Sequence, residues 1–274
     1  MRNRLFALQV VASLGLCWCA VVCAADRAPV QPLAQAHAHN DYLHTRPLLD
    51  ALDHGFASVE ADIFLVDGKL LIGHTKDELK PERTLASLYL DPLQARVRTN
   101  GGSVFPGGKP FYLLIDIKTA GEPTYAVLSK VLAEYADILS VVREGKLESK
   151  AVSVTISGNR PLAMLTAEKV RYAGVDGRLS DLNSELPAQL LPLISDNWGL
   201  NFKWKGEGPI GEADLKKLDN AVTKAHAHGR RVRFWATPEN IAVWRQLRAS
   251  GVDMINTDDL AGLEKFLRAE SQQN

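Results

Sequence analysis

The feature that most restricts the fold of this chain is an alternation. Short apolar runs begin near residues 33, 57, 111, 151, 170, 199, 231 and 252, and stretches with helical apolar spacing fall between most of them. Strands that alternate with helices form a parallel sheet, because a crossover is needed to start each parallel neighbour. Eight such units in about 230 residues predict a single-domain α/β chain folded as a (β/α)8 TIM barrel, a fold of typically ~250 residues. An open doubly wound sheet is the alternative, but no Gly-rich dinucleotide loop or Walker loop follows the first run.

A barrel gathers the C-terminal ends of its strands into one mouth, so polar residues at those ends meet. The second run reads Ser58-Val59-Glu60-Ala61-Asp62-Ile63-Phe64. Residues two apart on a strand share a face, which puts Glu60 and Asp62 side by side. Two acids there are costly unless positive charge lies between them, and oxygen-only donors suit Mg²⁺ or Ca²⁺ better than zinc. The Asp67-Gly68 turn signal then sends the chain back to His74. The first run ends at His39, the third brings Asp116 and Lys118, the seventh Trp235, and the eighth Asn256 with Asp258 close behind. Three carboxylates, two histidines and a lysine can make a metal-assisted phosphoryl-transfer site.

Composition narrows the partners. The chain is 46% hydrophobic and 23% charged with a formal net charge of 0, so no global field favours nucleic acid or an anionic membrane. Arg2 and Arg4 flank the start of an apolar run from Leu5 to Cys23, followed by Ala24 and Ala25. That order predicts a secretory signal peptide over residues 1–25 and a barrel over 26–274. The chain is then expected to be periplasmic or secreted, with no stable membrane span after cleavage. An uncleaved anchor helix is the alternative, although the run is borderline in length for a bilayer. Cys17, Cys19 and Cys23 all lie in this segment, so the remainder has neither disulfides nor thiol chemistry.

The ordered set of motifs resembles the PI-PLC-like and glycerophosphodiester phosphodiesterase superfamily of (β/α)8 barrels. The matching elements are His39 in HND, SVEADIF, the histidine closing VDGKLLIGH, LLIDIKT, FWATPEN and GVDMINTDD. HAHNDYLHTRPLLDAL, GHT and RTLASLYLDPL place the resemblance nearest the subgroup called altered inheritance of mitochondria protein 6. The resemblance covers roughly residues 33 to 262. It implies a metal-dependent phosphoric diester hydrolase acting on a small-molecule or lipid phosphodiester. Glu60, Asp62 and Asp116 would hold one Mg²⁺ or Ca²⁺, and His39 and His74 would be the catalytic acid and base. Lys118 would contact a phosphate oxygen, Trp235 would line the mouth, and Asn40 would be a substrate contact. The family's usual His-Arg-Gly is His39-Asn40-Asp41 here, which removes an arginine, and its Pro-Glu-Asn-Thr segment is absent.

Other readings exist for several residues. His37 and His39 could begin an amidohydrolase-like metal site, and a non-catalytic phosphate-ester-binding barrel is a third possibility. His44, His54, His226 and His228 are expected to be structural, with His37 sharing the face of His39. Asp258 is expected to cap the last helix. Lys216-Lys217 and Arg230-Arg231 read as solvated surface charge. Helices are predicted over 122–142 and 186–194, and a weak strand over 199–202.

Overall fold

The computed structural model describes residues 30–272. The expected signal segment therefore lies outside the described residues. Eight parallel strands close on themselves: β1 (Leu33–Ala38), β2 (Phe56–Val66), β3 (Phe111–Ile117), β4 (Val152–Gly158), β5 (Ala173–Gly177), β6 (Leu193–Asn197), β7 (Arg231–Trp235) and β8 (Met254–Thr257). Each pairs with the next, and β8 and β2 both pair with β1, so no edge of the barrel is left open. The single-domain barrel expected from the alternation is the one that forms.

The connections are α1 (Leu49–Asp53), α2 (Asp91–Thr99), α3 (Gly121–Glu134), α4 (Leu162–Ala167), α5 (Trp198–Asn201), α6 (Glu212–Ala227), α7 (Ile241–Ala249) and α8 (Leu260–Ser271). Their apolar faces meet the outward side chains of the strands. On β2, for example, Val59, Ala61 and Ile63 join the main core with no exposure at all. The intervening Ser58, Glu60 and Asp62 project the other way, into the lumen, as period-two alternation requires. The lumen floor is a separate cluster of Leu114, Leu193 and Met254. These come from β3, β6 and β8, which are not neighbours and so meet only across the barrel.

Three predicted elements are corrected. The 122–142 helix stops at Glu134, and Val141–Arg143 instead forms a small antiparallel sheet with Lys146–Glu148 and Val170–Arg171. The 186–194 helix does not form. Pro187 and Pro192 fall inside it, and a proline in a helix interior removes a hydrogen bond and clashes with the preceding turn. The sixth strand is thus Leu193–Asn197, and the segment read as a strand over 199–202 begins inside α5. Trp198 anchors that turn: it is buried, stacks on Phe202 at 4.1 Å and meets Phe234 of β7 edge-on at 5.6 Å.

Candidate active site

Register creates the acidic cluster. Asp62 on β2 pairs directly with Asp116 on β3, and Glu60 lies one pleat deeper. One oxygen from each of the three can be chosen so that all lie within 4.8 Å of one another. Asp62 Oδ1 and Asp116 Oδ1 are both buried without a hydrogen-bond partner among the described residues. Unpartnered buried acceptors cost free energy, so these two oxygens are suited to a ligand. All-oxygen donors fit a hard divalent cation, and the residues present fit Mg²⁺ or Ca²⁺. The cradle depends on Gly158 at the end of β4: its φ is +68°, and a Cβ there would overlap Asp116 Oδ1.

Lys118 Nζ bridges the pair, 2.9 Å from Asp62 Oδ2 and 3.0 Å from Asp116 Oδ2. Burial opposes its charge, but the two carboxylates outweigh this and raise its pKa. Asp62 shifts upward, chiefly through burial and then through the charge of Glu60, with Lys118 acting against both.

Glu60 is held differently. Its Oε2 accepts a hydrogen bond from Arg233 Nη2 and lies 3.4 Å from His37 Nε2. Arg233 is itself fixed by Asn256 Oδ1, 2.9 Å from Nε and 2.6 Å from Nη2. Burial disfavours the Glu60 carboxylate, but the adjacent guanidinium prevails and holds its pKa well below the ordinary range. Arg233 was missed in the sequence reading, although a signal was present. In Arg231-Val232-Arg233-Phe234-Trp235 it shares a face with Trp235, which was already placed at the mouth.

The two histidines are oriented alike. His39 Nδ1 bonds Asp258 Oδ1 at 2.9 Å, and His74 Nδ1 bonds Asp62 Oδ2 at 3.1 Å. In both rings Nε2 is without a protein hydrogen bond among the described residues, the arrangement of an imidazole that moves a proton at Nε2. Burial works to lower the His39 pKa, but the bond to Asp258 and the charge of Glu60 carry it upward overall. Tyr42, also missed, ties the two sides together: its hydroxyl lies 2.7 Å from both Asp62 Oδ2 and Asn40 Oδ1, and 3.1 Å from His74 Nδ1.

The Asn40-Asp41 departure has a structural basis. Asn40 adopts the left-handed conformation (φ 47°), which asparagine tolerates, and its amide lies 2.9 Å from His39 Nδ1. Asp41 is fully buried and accepts from the Leu48 amide at 2.5 Å, pinning the loop where Leu48 takes a positive φ of 63°. Its role is therefore to hold the loop that carries His39.

The mouth is a cavity of about 440 Å³ lined by His39, Asn40, His74, Lys118, Arg178 and Trp235, among others. Arg178, a third residue missed, follows β5 and donates to Asp176 Oδ2 at 2.8 Å. That buried carboxylate also accepts from Ser157 (2.8 Å) and Ser195 (2.6 Å). A guanidinium thus stands at the mouth although the first-strand arginine is absent.

Two further expectations are corrected. Asp258 does not cap α8: Asp259 does, accepting from the Gly262 amide at 2.9 Å, which leaves Asp258 for His39. Arg230 and Arg231 are not solvated charge. Arg230 is 1% exposed and donates to the carbonyls of Asp181, Ser184 and Leu186, while Arg231 stacks over Tyr112. Of the histidines expected to be structural, His54 pairs with Glu264 at 2.6 Å and His226 with Asp253 at 2.8 Å. His37 is buried against Ser58, with burial and Arg233 lowering its pKa to about 3. It faces Glu60 inside the lumen, so it forms no His-x-His metal pair with His39, and the amidohydrolase reading loses its basis.

The chain is a closed parallel (β/α)8 barrel with three carboxylates, two oriented histidines and a lysine at its mouth, a set of groups that can serve phosphoryl chemistry. The AIM6-like phosphodiesterase domain matches residues 26–175, and the glycerophosphoryl diester phosphodiesterase family matches residues 231–261. The altered inheritance of mitochondria protein 6 homolog of Arthroderma benhamiae is 30% identical over 254 residues, covering 82% of this chain and 81% of that protein. The altered inheritance of mitochondria protein 6 of Eremothecium gossypii is 30% identical over 280 residues, covering 86% of this chain and 70% of that protein. The crystal structure of a glycerophosphodiester phosphodiesterase from Parabacteroides distasonis shares the fold, with a TM-score of 0.52 at 14% identity over 88% of this chain and 100% of that one. The chain belongs to the AIM6-like phosphodiesterase family.

The relatives correct one expectation. They are fungal proteins named for altered inheritance of mitochondria, and this overturns the periplasmic or secreted address read from residues 1–25. No helix among the described residues is long and apolar enough to cross a membrane.

Proposed function

We propose that this chain is a metal-dependent phosphoric diester hydrolase acting on a small-molecule or lipid-borne phosphodiester. The observation that carries this reading is the pair of buried, unpartnered oxygens, Asp62 Oδ1 and Asp116 Oδ1, at a mouth that also presents two histidines with carboxylate-held Nδ1 atoms. Glu60, Asp62 and Asp116 would hold the Mg²⁺ or Ca²⁺. When bound, the cation supplies positive charge to a non-bridging phosphodiester oxygen as negative charge builds on it.

The protein's own groups do the rest. Lys118 and Arg178 line the mouth and offer N–H donors to the phosphate, Lys118 as a point charge and Arg178 as a planar fork. One histidine takes a proton from the attacking oxygen at Nε2, and the other gives one to the departing alcohol. Asp258 and Asp62 keep each ring in the tautomer that leaves Nε2 available, and they stabilise the imidazolium when it forms. Trp235 and Asn40 border the space for the alcohol portion.

The test is a substrate screen with Mg²⁺, Ca²⁺ or Mn²⁺ across glycerophosphodiesters, lysophospholipids, sphingomyelin and bis-p-nitrophenyl phosphate. Cation-dependent release of a phosphomonoester or cyclic phosphate, absent in His39→Ala, is the expected result. No turnover of any substrate with any of the three cations would favour the binding-barrel reading instead.

A further inference from the structure

The end of the barrel opposite the phosphodiester mouth holds a second cavity, of about 430 Å³. It lies at the N-terminal ends of β3, β4, β5 and β7 and is walled on one side by the small antiparallel sheet. Two arginines line it, Arg171 and Arg231, and no aspartate or glutamate does. Neither has an ion-pair partner among the described residues, whereas the buried Arg233 of the mouth is matched by Glu60.

The two guanidiniums differ. Arg171 is consumed structurally, donating to the carbonyls of Ala173 (2.8 Å), Leu165 (3.1 Å) and Gln189 (3.1 Å). Arg231 stacks flat on Tyr112, with its guanidinium carbon 3.4 Å from the ring centroid, and no side-chain N–H of it meets a protein acceptor among the described residues. Stacking covers one face of the guanidinium and leaves the in-plane donors for an acceptor. Burial pulls its pKa downward, against the upward pull of Tyr112 and Asp253, so the site disfavours the bare cation. An anion would relieve that cost. Val142, Leu147 and Pro192 add apolar wall beside it, and apolar walls with a few placed polar or charged groups are the usual make-up of a small-molecule site.

We propose that this cavity binds a small organic anion, a carboxylate or phosphate group on a short apolar body, with the anionic group on the free N–H donors of Arg231. Nothing in the phosphodiester site is needed for it, so the two readings stand or fall separately.

The test is amide NMR of the full chain titrated with hexyl phosphate, hexanoate and, as the uncharged control, hexanol. Gly145, Gly174 and Gly229 line this cavity and Gly158 lines the mouth, so the two sites report separately. Saturable shifts of Gly145, Gly174 and Gly229 with one or both anions, and none with hexanol, are expected; which anion titrates lower identifies the head group. Arg231→Gln should raise the half-saturating concentration about tenfold or more, since charge-assisted hydrogen bonds are lost. Leu147→Glu sets a repelling carboxylate at a position already 54% exposed, so it spares the fold and should also weaken binding. If Arg231→Gln does not fold, Leu147→Glu decides. Absence of saturable shifts, shifts confined to Gly158, an equal response to hexanol, or unchanged titration of the folded variants would overturn the proposal.

Discussion

Arg233 and Glu60 are joined across the lumen, the guanidinium of β7 donating to the carboxylate of β2, two strands that are not neighbours in the sheet. Their side chains are 3% and 6% exposed, so neither charge is screened by water. Removing one partner from such a pair strands the other, at a cost of roughly 3–5 kcal/mol. Arg233→Gln is therefore expected to lower the urea midpoint by that equivalent. A loss below about 1 kcal/mol would show that water or a rearranged lysine compensates Glu60.

The Asp116 cradle depends on the absence of a side chain at residue 158. Gly158→Ala introduces a Cβ against Asp116 Oδ1 at a residue with φ of +68°. A side chain in that conformation costs on the order of 1–3 kcal/mol, and the new Cβ would also fall 2.5 Å from the Ile117 carbonyl oxygen, so β3 and β4 must shift locally and stability falls further. Divalent-cation affinity, measured by calorimetry, should fall by roughly 10–100-fold, as it does when the support of a ligand is lost. Wild-type affinity in the folded variant would remove Asp116 from the ligand set.

The Asp258 carboxylate raises the His39 pKa against burial. Replacing it with the neutral Asp258→Asn removes that upward influence, so the limb of the pH–rate profile that reports His39 should move to lower pH. This direction holds whether His39 serves as base or as acid, because the same ionisation governs either limb. A limb that stays in place would assign it to another group.

Asp41 makes stability fall as pH rises. Burial pushes its carboxyl up to about 7 in the folded state, against an ordinary 3.8. Between those values the folded chain keeps a proton that the unfolded chain has lost, so folding weakens with increasing pH through this window and levels off above it. The full effect is at most about 4 kcal/mol. In Asp41→Asn this component of the pH dependence should vanish, as followed by thermal unfolding between pH 4 and 8. An unchanged slope would mean that Asp41 is ionised in the folded chain.

The barrel and most of its mouth were legible because both rest on local periodicity. Alternation placed Glu60 and Asp62 on one face, and strand ends placed His39, Asp116 and Lys118. What escaped depends on contacts far apart in sequence. Arg233 lies 173 positions from Glu60, and Arg178 shows its place only once β5 is aligned with Ser157 and Ser195. The sixth strand was misplaced because 199–202 reads as a short strand from sequence alone, whereas Trp198 and Phe202 both pack on Phe234 around a helical turn. Arg231 looked like surface charge because a stretch such as Arg230-Arg231 does not reveal that Tyr112 lies beneath it.

The central claim, two-histidine hydrolysis beside an acidic cation site, is tested most directly by the rate of bis-p-nitrophenyl phosphate hydrolysis in saturating Mg²⁺ or Ca²⁺. Wild type, His39→Ala and His74→Ala are compared, with cation affinity measured on the same samples. Each histidine variant should lose ~10²–10⁴-fold in rate, the range for a positioned acid or base, while His39→Ala keeps its affinity for the cation. Rates within a factor of a few of wild type for both variants would contradict it.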